Sequence, residues 1–254
     1  MKISTIMVCR NALGTIGGAV ESFLMQDHPD KELVVVDGAS EDGTLRLLES
    51  FESPDILIAS EADNGIYDAM NKGLSRFSGD AFGFLNADDR YHDAAALSRI
   101  AEALSDADMV SGHLHFVAAH DGSAPARIWR ASQFKPGAFQ RGWAPAHPVT
   151  YATRRVFEKV GLFDPSYASA GDYDWLLRAL EIERVHYATI DATLVDMALG
   201  GVSTRGLGAN IQNARETSKS RQARLGSGPV DLAMLYGPLR KLDQVLIART
   251  GSVR

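Results

Sequence analysis

Gly83-Phe84-Leu85-Asn86-Ala87-Asp88-Asp89 is where an apolar run that begins at Ala81 gives way to an amide and two adjacent carboxylates. The packing of a buried strand does not call for that change. Neighbouring anions at a strand end repel each other unless protons, cations or hydrogen-bond donors compensate them. Hard oxygen ligands suit Mg²⁺ or Mn²⁺, so a divalent metal is an economical compensation. The carboxyl ends of strands in open α/β sheets are also where ligands bind. The alternative is a helix N-cap, in which an Asp accepts from the free N–H groups of the helix that follows.

Outward from this stretch the chain alternates between two periods. Ile3 to Cys9, Leu33 to Val36 and Ile56 to Ala59 are apolar and β-branched, as expected of strands buried on both faces. Between them Ile16, Val20, Phe23 and Leu24 recur at helical spacing, then Leu45, Leu48 and Phe51. A helix from Gly65 to about Phe77 precedes the strand Ala81 to Leu85. Leu97, Ile100, Ala101 and Leu104 mark another helix before a short strand at Met109-Val110. Strands alternating with helices predict an α/β fold with a mostly parallel sheet covered on both faces. Beyond His113 the pattern changes. His113 to Val117 and Arg127 to Trp129 flank His120-Asp121-Gly122-Ser123 and predict a hairpin, a small antiparallel element. Ala131 to Pro148 reads as a long loop, followed by short helices at Val156 to Gly161 and Asp172 to Leu180. Residues from about Val202 are polar and weakly helical.

Bulk properties exclude several classes. The 254 residues suffice for one large domain or two small ones, and a net charge of −6 argues against a nucleic-acid partner. Cys9 is the only cysteine, which rules out an intrachain disulfide or a thiolate zinc site and suggests a reducing, cytoplasmic setting. The N-terminus has no signal-peptide h-region, and no run of about 18 apolar residues predicts a membrane span. Gly14 to Gly18 lacks the Gly-x-Gly-x-x-Gly spacing of a nicotinamide enzyme.

Five motifs stand in order. They are Val8-Cys9-Arg10-Asn11-Ala12, Val35 to Thr44, Glu61 to Gly73, Phe84 to Asp89, and Gly161-Leu162-Phe163-Asp164 with Gly171-Asp172-Tyr173-Asp174. Together they resemble the family 2 glycosyltransferases, inverting nucleotide-sugar enzymes of the GT-A fold. The resemblance spans roughly Met1 to Ser203. It implies a GT-A domain over 1–203, with a nucleotide-binding half at about 1–112 and an acceptor-side half at about 113–203. Residues 204–254 are then a C-terminal helical extension. It further implies a nucleoside-diphosphate sugar donor, a saccharide or lipid-linked acceptor, Mn²⁺ or Mg²⁺, and a role in envelope or exopolysaccharide assembly.

On this resemblance Val8, Arg10, Asp37, Asn64, Asn71, Asn86 and Ala87 bind the nucleotide, with Asn86 against the ribose. Asp88 is the direct metal ligand and Asp89 stands in its first or second shell. Asp172 is the general base that takes the proton of the attacking hydroxyl. His147, Trp143 and Asp174 fall on the acceptor side. The residues themselves leave structural alternatives: a turn-stabilising bond for Asp37, helix caps for Asp42 and Asn64, and core packing for Trp175. Gly38 and Gly43 are expected to supply positive φ or close backbone approach. Asn86 stands where the family usually has an aspartate, and Gly171 where it has a glutamate. Gly200-Gly201-Val202-Ser203 is expected to close over the diphosphate. Leu232 to Ile247 is expected to rest on the inner face of the plasma membrane, on its own domain or on a second subunit. The rival functions are a sugar nucleotidyltransferase and a nucleotide-sugar-binding subunit without activity.

Overall fold

The computed structural model describes residues 1–199 and 206–226. In chain order the elements are β1 (Ile3–Cys9), α1 (Ile16–Leu24), β2 (Lys31–Asp37), α2 (Thr44–Glu49), β3 (Ile56–Ser60), α3 (Ile66–Leu74), β4 (Ala81–Phe84) and β5 (Arg90–Tyr91). There follow α4 (Ala96–Ala103), β6 (Met109–Val117), β7 (Arg127–Trp129), β8 (Thr150–Thr153), α5 (Arg154–Val160), α6 (Gly171–Leu177), β9 (Tyr187–Ala198) and α7 (Gly206–Leu225). The strands form one sheet in the order β3-β2-β1-β4-β8-β6-β9-β5, with β7 paired to β6.

β1 lies between β2 and β4 and runs parallel to both; β2 is likewise parallel to β3. The register pairs Cys9 with Asp37 and Asp37 with Ser60, so the carboxyl ends of these strands share one edge. From β1 the chain first builds outward to β2 and β3, then returns to place β4 on the opposite side. That reversal opens a crevice at the carboxyl edge, the place where α/β sheets bind ligands. β6 and β9 are also parallel, whereas β5, β7 and β8 pair only antiparallel.

Side chains alternate between the faces as the period of two requires. Ile3, Met7, Leu33 and Val35 pack with Val20 and Phe23 of α1, Leu48 of α2 and Ile100 of α4. Ile6, Val34, Phe82 and Phe84 pack with Met70 and Leu74 of α3, Val156 of α5 and Trp175 of α6. Double-sided burial explains why β1 and β2 read as continuous apolar runs.

The structure extends the sequence reading on the acceptor side. Met109-Val110 is the start of a nine-residue strand that continues into the expected hairpin, where Phe116 faces Arg127. β9, twelve residues long, and the two-residue β5 carry too little alternation to be read alone; Thr, Asp and Ala dilute β9. The Ala131 to Pro148 segment is packed by its own aromatics, Phe134, Phe139 and Trp143, with ring centroids 5.6–6.4 Å apart. The expected Gly200–Ser203 loop and the Leu232 to Ile247 segment lie outside the described residues. No described helix is long and apolar enough to cross a membrane.

Candidate active site

At the end of β4, Leu85 still donates to the Ile6 carbonyl (3.0 Å), and the chain then turns. The Asn86 carbonyl accepts from Asp89 N (3.1 Å), and Asn86 Nδ2 donates to Asp89 Oδ2 (2.7 Å). Ala198 N, at the end of β9, donates to Asp89 Oδ1 (3.0 Å). Asp89 is fully buried. Burial, and then the charge of Asp88, push its carboxyl up to about 7, against the pull of those two hydrogen bonds. Asp88 is half-buried, and only its backbone carbonyl is bound, by His120 Nε2 (3.0 Å). Among the described residues neither Asp88 carboxylate oxygen accepts a hydrogen bond. An open carboxylate beside a second one that burial makes costly to ionise is a donor set that suits a hard divalent cation. The two acids differ: Asp88 is half-buried with its carboxylate unbonded among the described residues, and Asp89 braces the turn against β9. Asn86 spends its amide nitrogen on that brace, and Ala87 is buried beside it.

Asp37, at the end of β2, is also fully buried. It accepts from Ser40 N (3.1 Å), the Ser40 hydroxyl, the Ser60 hydroxyl (2.6 Å) and Cys9 Sγ (3.7 Å). It thus builds the turn from within, which is the structural alternative for this residue. Burial, then Asp37, push the Cys9 thiol up to about 12, so it stays protonated and donates. The positive φ expected at Gly38 sits instead on Ala39 (54°) and on the facing Asn11 (52°), while Gly43 has the expected value of 98°. Gly38 lacks a Cβ because the Asp63 carboxylate and Arg10 occupy that space. Asn11 ties the two loops by accepting from Glu41 N (2.9 Å) and donating its own N–H to Ser40 Oγ (2.7 Å). Asp42 accepts from Thr44 N and Leu13 N, both at 3.0 Å. Arg10 is exposed and Val8 half-buried at the mouth of this turn.

Of the two asparagines of the α3 region expected at the nucleotide, one has both ends of its amide committed to backbone. Asn71 donates to the Phe163 carbonyl (3.0 Å) and accepts from Phe163 N (2.9 Å), so both ends of its amide fasten the loop before α6. Asn64 does not cap α3 with its side chain; Asp68 accepts from Asn64 N (2.9 Å) and Asp63 from Gly65 N (2.9 Å). Asn64 lines a cavity of about 220 Å³ between Asn64–Asp68 and Pro165–Ala168.

Tyr67 forms the wall between that cavity and Asp172. Its hydroxyl donates to Asp172 Oδ1 (3.1 Å), and burial together with the Asp172 charge holds it protonated. The Tyr67 ring occupies the space a side chain at Gly171 would need, with the nearest carbon 2.8 Å from where its Cβ would stand. Asp172 is half-buried at the start of α6. Asp174, expected on the acceptor side, is fully buried instead. It accepts from Arg178 Nε (2.9 Å), Arg224 Nε (3.1 Å), the Ser220 hydroxyl (2.8 Å) and the Tyr167 hydroxyl (3.4 Å). Glu216 of α7 caps the approach to α6, accepting from the N–H groups of Ala168, Ser169 and Ala170 at 2.8–3.2 Å. Carboxylates are favoured where unpaired amides cluster before a helix. Helix α7 is thus fastened to the helix that carries Asp172.

Aromatic rings bridge the two ends of the site. His147 lies 4.9 Å from Phe84, the last residue of β4, and 6.1 Å from Phe163; Phe163 in turn lies 5.8 Å from Tyr67. Burial lowers the His147 pKa, while the nearby Asp172 charge works the other way; its Nε2 is buried without a partner. Trp143, expected on the acceptor side, is buried in the aromatic packing and donates to Ser132 Oγ (2.8 Å). Trp175 is core, donating to the Gly161 carbonyl (2.8 Å). Sequence reasoning missed Tyr67, Glu216, Ser220 and Arg224. Tyr67 sat within a quoted motif, but its partner is 105 residues away.

Residues 4–162 match the family model "Glycosyl transferase family 2". A "PGL/p-HBAD biosynthesis glycosyltransferase" of Mycobacterium bovis is 28% identical over 190 residues, covering 69% of this chain and 68% of the relative. Glycosyltransferase AglE of Haloferax volcanii is 27% identical over 243 residues, covering 92% and 74%. Among solved structures, a mannosyltransferase from Pyrobaculum calidifontis in complex with GDP-Man and Mn²⁺ superposes with a TM-score of 0.67 at 19% identity, over 99% of this chain and 76% of that one. TarS 1–349 of S. aureus in complex with UDP-GlcNAc gives 0.65 at 16%, over 98% and 81%. These likenesses establish the GT-A fold.

Proposed function

The chain belongs to glycosyl transferase family 2 and is a glycosyltransferase; we propose that it moves a sugar from a nucleoside diphosphate to a hydroxyl acceptor by a metal-dependent, inverting displacement. The observation that carries this reading is that Tyr67, Phe163 and His147 link Asp172 to Phe84, the last residue of the strand that leads into the Asp88 turn. Asp172 accepts the proton of the acceptor hydroxyl as that oxygen attacks the anomeric carbon from the face opposite the diphosphate. Tyr67 donates to Asp172 and so fixes its direction. His147, kept neutral by burial, brings no competing positive charge. Asp88 would hold Mn²⁺ or Mg²⁺, whose charge offsets that of the departing nucleoside diphosphate. Asp89, Asn86 and Ala198 fix the Asp88 turn, and the Asp37 turn shapes the nucleotide end.

We propose a saccharide or lipid-linked acceptor and a role in envelope assembly; a mycobacterial relative is named for PGL/p-HBAD biosynthesis. Donors of both UDP and GDP type accompany solved neighbours, so both belong in a test. We place the GT-A domain at 1–203 with 204–254 as its extension, and the reaction at the cytoplasmic side of the membrane. Co-sedimentation with anionic liposomes tests the last point. Calorimetry with UDP-, GDP- and dTDP-sugars, with and without Mn²⁺, tests the reading as a whole. Asp88→Ala should lose the Mn²⁺-dependent part of donor binding; unchanged binding in that variant overturns the metal assignment.

A further inference from the structure

We propose that His92, His115 and Asp196 form a second cation site, on the face of the sheet where β5, β6 and β9 meet, that takes a divalent transition metal of the Zn²⁺ type. The three residues come from neighbouring backbone positions: Asp196 pairs with Arg90 on one side and with His115 on the other, and His92 follows β5. His92 Nδ1 lies 2.9 and 3.0 Å from the two Asp196 oxygens, and His115 Nδ1 lies 3.4 Å from Oδ1. The candidate ligand atoms all fall within 4.8 Å of one another. Ligands about 2.05 Å from a tetrahedral ion stand roughly 3.4 Å apart, so small ring rotations complete the geometry. The rings stand at 76° with centroids 5.0 Å apart; they do not stack, and both turn a nitrogen towards the carboxylate.

Two further features fit a metal better than a plain ion pair. At 3.4 Å the His115–Asp196 separation exceeds a normal N–H···O bond. The other His115 nitrogen, Nε2, lies 3.1 Å from Thr193 Oγ1. Donation from Nε2 to that hydroxyl leaves the Nδ1 lone pair aimed at the shared point, the outer hydrogen bond that metal-ligating histidines usually make. Two imidazoles and one carboxylate favour Zn²⁺, Co²⁺ or Ni²⁺ over Mg²⁺ or Ca²⁺. The side chains are 38%, 18% and 23% exposed for His92, His115 and Asp196, so an ion can enter and an outer position stays open. A metal here would clasp β5 to β9, the strand whose Ala198 N–H holds Asp89. The site shares no ligand with the Asp88 turn, and its metal binding does not require the proposed reaction.

The test uses the full chain without a polyhistidine tag, stripped with EDTA and assayed without nucleotide. Titration with Co²⁺ by visible absorbance and with Zn²⁺ by calorimetry should show one equivalent bound in the micromolar range or tighter, and Zn²⁺ should raise Tm. His115→Ala should weaken binding by at least about 100-fold, since losing even an outer-shell partner costs 10–100-fold. His92→Gln, at an exposed side chain, gives a second variant should His115→Ala not fold, and it should remove the Tm shift. Asp88→Ala should keep both signals. Absence of stoichiometric binding by the wild type, or wild-type binding by both histidine variants, overturns the site.

Discussion

The Asp88–Asp89 turn and the first turn of α6 each set two carboxylates close together, and each leaves one open while burying the other. Asp89 and Asp174 are both fully buried. Their surroundings differ. Asp174 meets two guanidinium groups and two hydroxyls, whereas among the described residues Asp89 meets an amide side chain and a backbone N–H. Guanidinium groups compensate a buried charge directly; amides do so in part, and Asp89 is consequently pushed up to about 7. One pair is a finished structural joint. Among the described residues the other is left short of positive charge beside the residue proposed to hold a cation.

The hardest blow to this contrast should come from Asp172→Asn. Removing the open acid of α6 should cut turnover by about 10²–10⁴-fold, while donor affinity by calorimetry and the urea midpoint stay at wild-type values. Normal turnover would show that the open and buried roles on α6 have been assigned the wrong way round. Asp174→Ala should do the opposite, lowering stability by roughly 3–5 kcal/mol in urea unfolding, because it strands Arg178 and Arg224 without their anion. A loss below about 1 kcal/mol would mean the joint between α6 and α7 contributes little.

The Asp89 environment predicts a pH signature in metal-free protein. Its folded pKa of about 7 lies above the 3.8 of an ordinary Asp, so between those values the folded chain binds more protons than the unfolded one. Stability should therefore fall as pH rises from about 4 to 7 and level off above, by at most about 4 kcal/mol. Urea midpoints across this range in EDTA should show the slope in wild type and a flatter line in Asp89→Asn. The smallest effect is expected from Tyr67→Phe. It should lower kcat about tenfold, equivalent to ~1.4 kcal/mol, with the donor KM unchanged, since the hydroxyl touches Asp172 and not the donor turn. A change in KM alone would assign Tyr67 to binding.

The same contrast shows what could be read in advance. Asp88 was legible because carboxylates interrupt an apolar run, and that break needs no partner to be noticed. Asp172 could be singled out from Asp174 only by resemblance, because the groups that bury Asp174 lie up to 50 residues away on α7. Asn71 looked like a ligand contact for the same reason: nothing near it in sequence reveals the Phe163 backbone that takes both ends of its amide. Trp143 was ambiguous until Phe134 and Phe139 closed around it.

What residue order alone determined is local or periodic: the double-sided strands of the first half, the helices between them, and the turns at Asp37 and Asp88. Backbone geometry repeats every two or 3.6 residues, and an apolar pattern records that repeat directly. Which acid is open and which is spent, where β9 braces the Asp88 turn, and how α7 grips α6 were decided only by tertiary structure. Those are questions of which donors and cations arrive from distant parts of the chain, and the charge state and exposure of a carboxylate depend on all of them at once.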